Sequence, residues 1–260
     1  MGELDQRRVL VTGATSGLGA AMAQALADAG ARVALAARPG ARLDEALARH
    51  RLAGHTVVGA PMDVRDATSV DRAARRALED LGGLDMVVNN AGIGMRTVNP
   101  RFLTSPTPFY HVSPEGFADV VATNLTGYFL VARAFAPYFV AQRRGSFVNV
   151  TMNHETMRRR GFVPYGPSRA GAESLSAIMA EDLREDNVSV NMLLPGGASA
   201  TGMIPAGVEA TLARPLLDPT IMGPPIVFLA SNRATGLSGA RLIATEFDQW
   251  LATYEGGSTS

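Results

Sequence analysis

Between a β-rich run, RVLVT at 8–12, and a stretch with helical spacing at 18–29, the chain reads TGATSGLG from Thr12 to Gly19. No other feature constrains the fold as tightly. Gly13, Gly17 and Gly19 let the backbone turn sharply and come close to a bulky anion. The helix that follows offers unpaired N–H groups and the positive end of its dipole. A glycine loop placed after a strand and before a helix predicts a pyrophosphate cradle at the first turn of a parallel α/β sheet.

The rest of the chain keeps the same rhythm. Strands are expected at 8–12, 32–37, 56–60, 84–89, 146–151, 188–194 and 241–245, and helices at 18–29, 41–51, 67–81, 115–141, 165–184 and 224–229. Pro137 would kink the long helix or mark its last turns. Short strand–helix repeats imply right-handed crossovers, so the predicted fold class is α/β: a Rossmann-type, doubly wound sheet of about seven parallel strands with helices on both faces. No internal repeat or linker divides the 260 residues, and a single domain over 1–260 is expected. Two irregular segments, 93–113 and 196–219, follow strand C-termini, where open α/β sheets bind ligands, and are expected to be substrate loops.

Composition excludes several classes. The formal net charge is zero, which argues against nucleic acid or an anionic membrane as partner. No apolar run approaches the roughly 18 residues of a membrane span, and the first residues lack a signal-peptide core, so a cytoplasmic location is expected. Cysteine is absent, and the four histidines, His50, His55, His111 and His154, lack metal-ligand spacing; no metal is expected. All 24 Lys/Arg positions are arginine.

The stretch YGPSR places Tyr165 one helical turn before Arg169, so phenol and guanidinium share a helix face. A fixed positive charge beside a phenol favours its ionised form, and a phenol so placed can give and take a proton.

TGATSGLG, then Asp63-Val64, then NNAG at 89–92, then Tyr165 with a cation one turn later, then Pro195-Gly196, in this order, resemble the short-chain dehydrogenase/reductase family over nearly the whole chain. The resemblance implies oxidoreductase chemistry on a carbonyl or secondary alcohol with a nicotinamide dinucleotide. By it, Gly13, Thr15, Ser16, Gly17, Leu18 and Gly19 would hold the pyrophosphate. Asp63 would contact the adenine amino group beside Val64. Asn90, Ala91 and Gly92 would line the adenosine ribose, and Pro195, Gly196 and Ala198 would border the nicotinamide. Tyr165 would be the general acid/base, Arg169 would stand where the family has a lysine that also holds the nicotinamide ribose, and Asn124 would anchor a water. The resemblance also implies a homodimer or homotetramer built on the helices at 115–141 and 165–184.

At the end of the second strand, where an acidic residue would grip the ribose hydroxyls of NAD, stands Arg38, with Arg42 one turn beyond. A guanidinium there can hold a 2′-phosphate bidentately, so NADP(H) is expected ahead of NAD(H). The reaction centre departs from the family. Its substrate-binding serine position is Met152, which cannot donate a hydrogen bond; Asn153 is the favoured substitute, with Thr151 and His154 as alternatives. Arg169 in the lysine's place can supply charge but cannot give up a proton. Two other readings therefore stand beside the oxidoreductase: a non-catalytic or non-redox nucleotide-binding homologue, and a halohydrin dehalogenase-like enzyme, which uses Ser, Tyr and Arg without a nucleotide.

Among the remaining features, Phe102, Phe109, Tyr110 and His111 are candidates to wall an apolar substrate pocket. Tyr128, Phe129 and Phe135 are expected to be packing residues, and Arg158-Arg159-Arg160 a solvated loop.

Overall fold

The computed structural model describes residues 2–205, 207 and 215–257. Seven strands, β1 (Arg8–Thr12), β2 (Arg32–Ala37), β3 (Val57–Pro61), β4 (Met86–Asn89), β5 (Gly145–Val150), β6 (Val188–Leu194) and β7 (Arg241–Ile243), form one sheet in the order β3-β2-β1-β4-β5-β6-β7. Every pairing is parallel. Strand edges fall within about two residues of the sequence reading, the usual scatter of element ends.

Alternation along the strands feeds two cores. Val9, Val11, Val33, Leu35 and Val88 face α1 (Gly17–Asp28), α2 (Ala41–Leu52), α8 (Gly223–Ala230) and the terminal helix α9 (Phe247–Gly257). Leu10, Ala34, Ala36, Val87 and Phe147 face α3 (Ala67–Leu81), α5 (Gly127–Gln142) and α7 (Tyr165–Asp182). This is the two-sided burial that a doubly wound parallel sheet requires. The order reverses between β1 and β4, and a cleft opens there beyond the strand C-termini.

The predicted long helix is three pieces: α4 (Pro114–Val121), a π-helical turn Ala122–Thr126, and α5. The π turn adds a residue to one helical loop and re-aims Asn124; such turns concentrate at functional sites. Pro137 falls in the last turns of α5. A short helix, α6 (His154–Met157), follows β5; neither it nor α9 was read from the sequence. The ends of the loop at 196–219 are pinned by a parallel bridge between Ser199 and Leu217, while 206 and 208–214 lie outside the described residues. Among the described residues, no helix is long and apolar enough to cross a membrane.

Candidate active site

The cleft, of about 1800 Å³, runs from the glycine loop to the first turn of α7. At its floor, Gly13 and Gly17 take positive φ angles of 65° and 54°. A Cβ on Gly19 would lie 2.2 Å from the Gly13 carbonyl oxygen, so only glycine fits the crossing of loop and helix. Ser16 is the N-cap of α1 and its side chain makes no cap bond, leaving the helix N-terminus open toward the cleft. Thr15 and Leu18 line the same floor. Asn90 braces the loop from the next strand: its Nδ2 donates to the carbonyl oxygens of Thr12 and Gly13 at 2.9 and 3.3 Å. The backbone N–H groups of Asn90 and Ala91 donate to Thr12 Oγ1.

Arg38 and Arg42 are exposed along the outer lip. A third cation that the sequence reading did not single out, Arg65, also lines this end. It grips Asp63 through Nε and Nη2 at 3.1 and 2.8 Å, while its backbone N–H donates to Asp63 Oδ1 at 3.0 Å. Hydrogen bonds from the Arg65 side chain, against the opposing effect of burial, hold the Asp63 carboxyl below its usual range, and Arg38 adds to this. A carboxylate has about four acceptor positions, so Asp63 keeps capacity for another donor. Val64 is buried beside it, packed against Gly127.

At the inner end, Arg169 is only 3% exposed. Its Nη1 donates to the Tyr128 hydroxyl at 2.6 Å and to the Val150 carbonyl at 3.0 Å. Its guanidinium carbon lies 5.4 Å from the ring centroids of both Tyr128 and Tyr165. Burial opposes the charge, but the two tyrosines outweigh it, so Arg169 is held protonated more firmly than usual. Tyr128, expected to be a packing residue, is therefore part of the site; burial raises its own phenol. Gly92 makes room: a Cβ there would lie 2.4 Å from Arg169 Nη2.

Asn124 ties together two backbone segments near this cation. Its Oδ1 accepts from the Ile93 N–H at 2.9 Å, and its Nδ2 donates to the Ile93 carbonyl and to Ser168 Oγ at 3.0 and 3.2 Å. The side chain thus clamps the backbone just beyond NNAG to the first turn of α7.

Tyr165 is half-buried, and its hydroxyl faces Met203 Sδ at 4.0 Å, a weak acceptor. Met152 packs in an apolar cluster with Met95, Phe102, Phe162, Tyr165 and Ile204. Asn153 lines the cleft and donates through Nδ2 to the Gly196 carbonyl at 3.0 Å. Pro195, Gly196 and Ala198 line the cleft opposite. The two alternatives to Asn153 are engaged elsewhere. Thr151 Oγ1 donates to Glu173 Oε1 at 2.7 Å, and His154 Nε2 lies 2.8 Å from Glu173 Oε2. Arg241 completes that strut, donating to Glu173 Oε1 and, through Nη2, to the Met152 carbonyl at 2.9 and 2.8 Å.

Phe102 lines the cleft as expected, but Phe109, Tyr110 and His111 are exposed, the first two at 70% and 69%, and lie outside its wall. They sit on a 3-10 turn where the Phe109 and Tyr110 rings meet each other edge to face. Phe129, on the opposite side of its helix from the core, is 47% exposed. Arg158, Arg159 and Arg160 are exposed, with Arg159 over the Phe162 ring.

The cleft fits a dinucleotide on three counts. The glycine cradle accepts no side chain, and among the described residues two buried polar atoms in the wall lack partners, Arg169 Nε and Ser199 Oγ. Ser199 was not read from the sequence, nor was Thr201, whose methyl would lie 3.1 Å from a Cβ on Gly17.

Comparison with known proteins agrees. Residues 7–210 match the model of the short chain dehydrogenase family. The chain is 32% identical over 240 residues to 2,5-dichloro-2,5-cyclohexadiene-1,4-diol dehydrogenase LinX of Sphingobium indicum, covering 90% of this chain and 92% of that one. It superposes on the 3-ketoacyl-(acyl-carrier-protein) reductase of Brucella melitensis complexed with NADH, with a TM-score of 0.80, 27% identity, and 92% and 97% of the two chains covered. A metagenomic short-chain oxidoreductase in complex with NADP gives a TM-score of 0.77 at 26% identity, over 93% and 97% of the chains. With its glycine loop, its parallel sheet and Tyr165 on the first turn of α7, the chain belongs to the short-chain dehydrogenase family, and the relatives it matches are named dehydrogenases and reductases.

Proposed function

We propose that this chain is an NADP(H)-dependent oxidoreductase that interconverts a ketone and a secondary alcohol, with Tyr165 as general acid/base. The observation that carries the reading is the placement of Tyr165 against a buried, permanently charged Arg169, at the end of a cleft that begins at the glycine cradle.

The nicotinamide, when bound, supplies or accepts the hydride. Everything else falls to the chain. The open N-terminus of α1 and the cradle of Gly13, Gly17 and Gly19 receive the pyrophosphate. Arg38, with Arg42 and Arg65 nearby, meets the 2′-phosphate, and this favours NADP(H) over NAD(H). Asp63 and Val64 border the adenine; Ala91 and Gly92 border the adenosine ribose. Arg169 Nε, Ser199 Oγ and the backbone from Pro195 to Ala198 face the nicotinamide half.

In the reducing direction, negative charge develops on the substrate oxygen, and Tyr165 gives it a proton. Arg169 stabilises the phenolate left behind and, being unable to deprotonate, takes no part in the proton's onward path. Reprotonation of Tyr165 comes from water. Asn153 has a second amide N–H beyond the one given to Gly196, and this donor orients the substrate oxygen in place of the absent serine. Asn124 fixes the geometry by tying Ile93 to Ser168.

A dehalogenase without nucleotide would not require a glycine cradle and cationic lip of this kind. The exposed Phe129 on α5 and Ile178 on α7 support a homo-oligomer through those helices.

Titration of the protein with NADPH and NADH, followed by nucleotide fluorescence, tests the reading. Micromolar NADPH binding, tighter than NADH, is expected. No binding of either nucleotide at high micromolar concentration contradicts it.

A further inference from the structure

The reaction end of the cleft has an unusual chemical character. Met95, Phe102, Met152, Phe162 and Ile204 come together around the ring of Tyr165, and Met203 covers its hydroxyl. Three of these are thioethers, which adapt to the shape of an apolar ligand and make favourable contacts with rings.

Among the described residues, most of the polar side chains that line the same end are occupied; Thr156 and Ser199 also line it, and the Ser199 hydroxyl lacks a partner. Thr97 Oγ1 donates to the Gly94 carbonyl at 2.9 Å. Asn153 gives one amide N–H to Gly196, Thr151 is bound to Glu173, and His154 is bound to the same carboxylate. Glu155 and Arg159 are exposed at the rim. Hydrogen bonding to the reacting oxygen is thus provided by Tyr165 and Asn153, with little for any second polar group set deep in the pocket.

From this we infer the substrate class: an apolar, alicyclic or aliphatic ketone, or the corresponding secondary alcohol, whose reacting oxygen is the one polar atom carried into the pocket. The inference rests on the oxidoreductase reading above. A polyol or sugar acid entering the same space would strip water from several hydroxyls without replacing their hydrogen bonds, a loss felt in binding and in kcat/KM alike. The hydroxyl of Tyr165 has a weak acceptor in Met203 Sδ, which an incoming carbonyl oxygen readily displaces.

The reaction balances within the proposed activity. The carbonyl carbon gains a hydride and a C–H bond, the π pair of C=O moves to oxygen, oxygen takes the proton of Tyr165, and the nicotinamide is oxidised by two electrons. Water restores the phenol.

A matched pair of ring ketones tests the inference directly. Cyclohexanone and its pentahydroxy analogue inosose are offered to the NADPH-saturated protein, with 2-octanone and D-fructose as the open-chain pair, and kcat/KM is measured for each. Apolar members are expected to exceed their hydroxylated partners by roughly a hundredfold or more. In Met152→Ser, which returns a hydroxyl to the pocket, the ratio is expected to narrow at least severalfold, while NADPH affinity stays unchanged. Equal or greater kcat/KM for the hydroxylated members, or turnover of neither apolar ketone while NADPH binds, overturns the inference and leaves the nucleotide-binding part of the functional reading intact. Failure to bind NADPH at all instead removes the functional reading on which the inference stands.

Discussion

Arg169 donates to the hydroxyl of Tyr128 at 2.6 Å, and both side chains are closed off from solvent, at 3% and 1% exposure. The cation that faces Tyr165 is therefore held from behind by a second tyrosine, on α5. Tyr128 in turn donates to the Val150 carbonyl at 3.0 Å, the same atom that Arg169 reaches. The end of β5, the middle of the site and the first turn of α7 are joined through these two side chains.

Removal of the Tyr128 hydroxyl leaves a buried guanidinium short of an acceptor. Tyr128→Phe is expected to lower the unfolding free energy by about 1–3 kcal/mol and to reduce kcat, with NADPH affinity changed less. Denaturant unfolding alongside steady-state turnover checks this. Wild-type stability and turnover in the variant would remove Tyr128 from the account.

Exchange at Arg169 separates charge from shape. Arg169→Lys keeps a cation one helical turn from Tyr165 and is expected to retain or raise turnover. Arg169→Met removes the charge from beside the phenol and is expected to lose most of it. Turnover is compared at saturating nucleotide and KM for NADPH is taken from a separate nucleotide titration, so that a change in ribose contact registers in KM and a change in proton transfer registers in kcat.

The proposed preference for NADP(H) puts Arg38 against the 2′-phosphate, and exchange of this residue tests it. Arg38→Glu places a carboxylate where the 2′-phosphate would bind, and NADPH affinity is expected to fall by at least about tenfold, while NADH binding holds or improves. An unchanged NADPH to NADH ratio would show that Arg42 or Arg65 sets the preference.

Much of this is legible in the sequence itself, for physical reasons that differ by region. The strands and the glycine loop announce themselves because a sheet buried on both faces needs continuous apolar runs and a tight turn needs glycine. The apolar spacing from Glu115 to Ala141 looks like one helix because a π turn adds a residue without breaking the apolar pattern. Asn124 was visible as a residue type, and the local unwinding that aims it at Ile93 and Ser168 was not. Tyr128 and Phe129 are neighbours with similar hydrophobicity, yet one is buried against Arg169 and the other is on the surface; helix phase relative to α7 decides this, and a single sequence does not fix that phase. Phe109 and Tyr110 were misread for a related reason. The irregular segment is tied to itself, Asn99 Nδ2 donating to the Ser105 carbonyl and to Thr107 Oγ1, and carries the two rings outward. The Glu173 strut joins residues far apart in the chain, with Arg241 on the last strand, and has no local signature.

Away from the cleft, Asp85 gives a pH prediction. Burial alone would raise its carboxyl, but bonds from the side chains of Arg8 and Arg144 and from the Arg8 backbone N–H prevail and bring it from 3.8 down to about 2. A carboxyl whose folded-state value lies below its unfolded one contributes stability that is fully present above about pH 4 and is lost as pH falls through about 2. The contribution is about 2 kcal/mol. Asp85→Asn is expected to be destabilised at pH 7, with the gap to the wild type shrinking as pH is lowered from 4 toward 2. Denaturant unfolding across that range is the check, and a gap independent of pH would contradict the assignment.

If Tyr165 handles the proton in hydride transfer, Tyr165→Phe with NADPH bound loses turnover while keeping the nucleotide. NADPH affinity is expected to stay close to wild type and kcat to fall about 10²–10⁴-fold, the usual worth of a positioned acid. Turnover at the wild-type rate in Tyr165→Phe, with nucleotide bound as before, would place the chemistry on another residue.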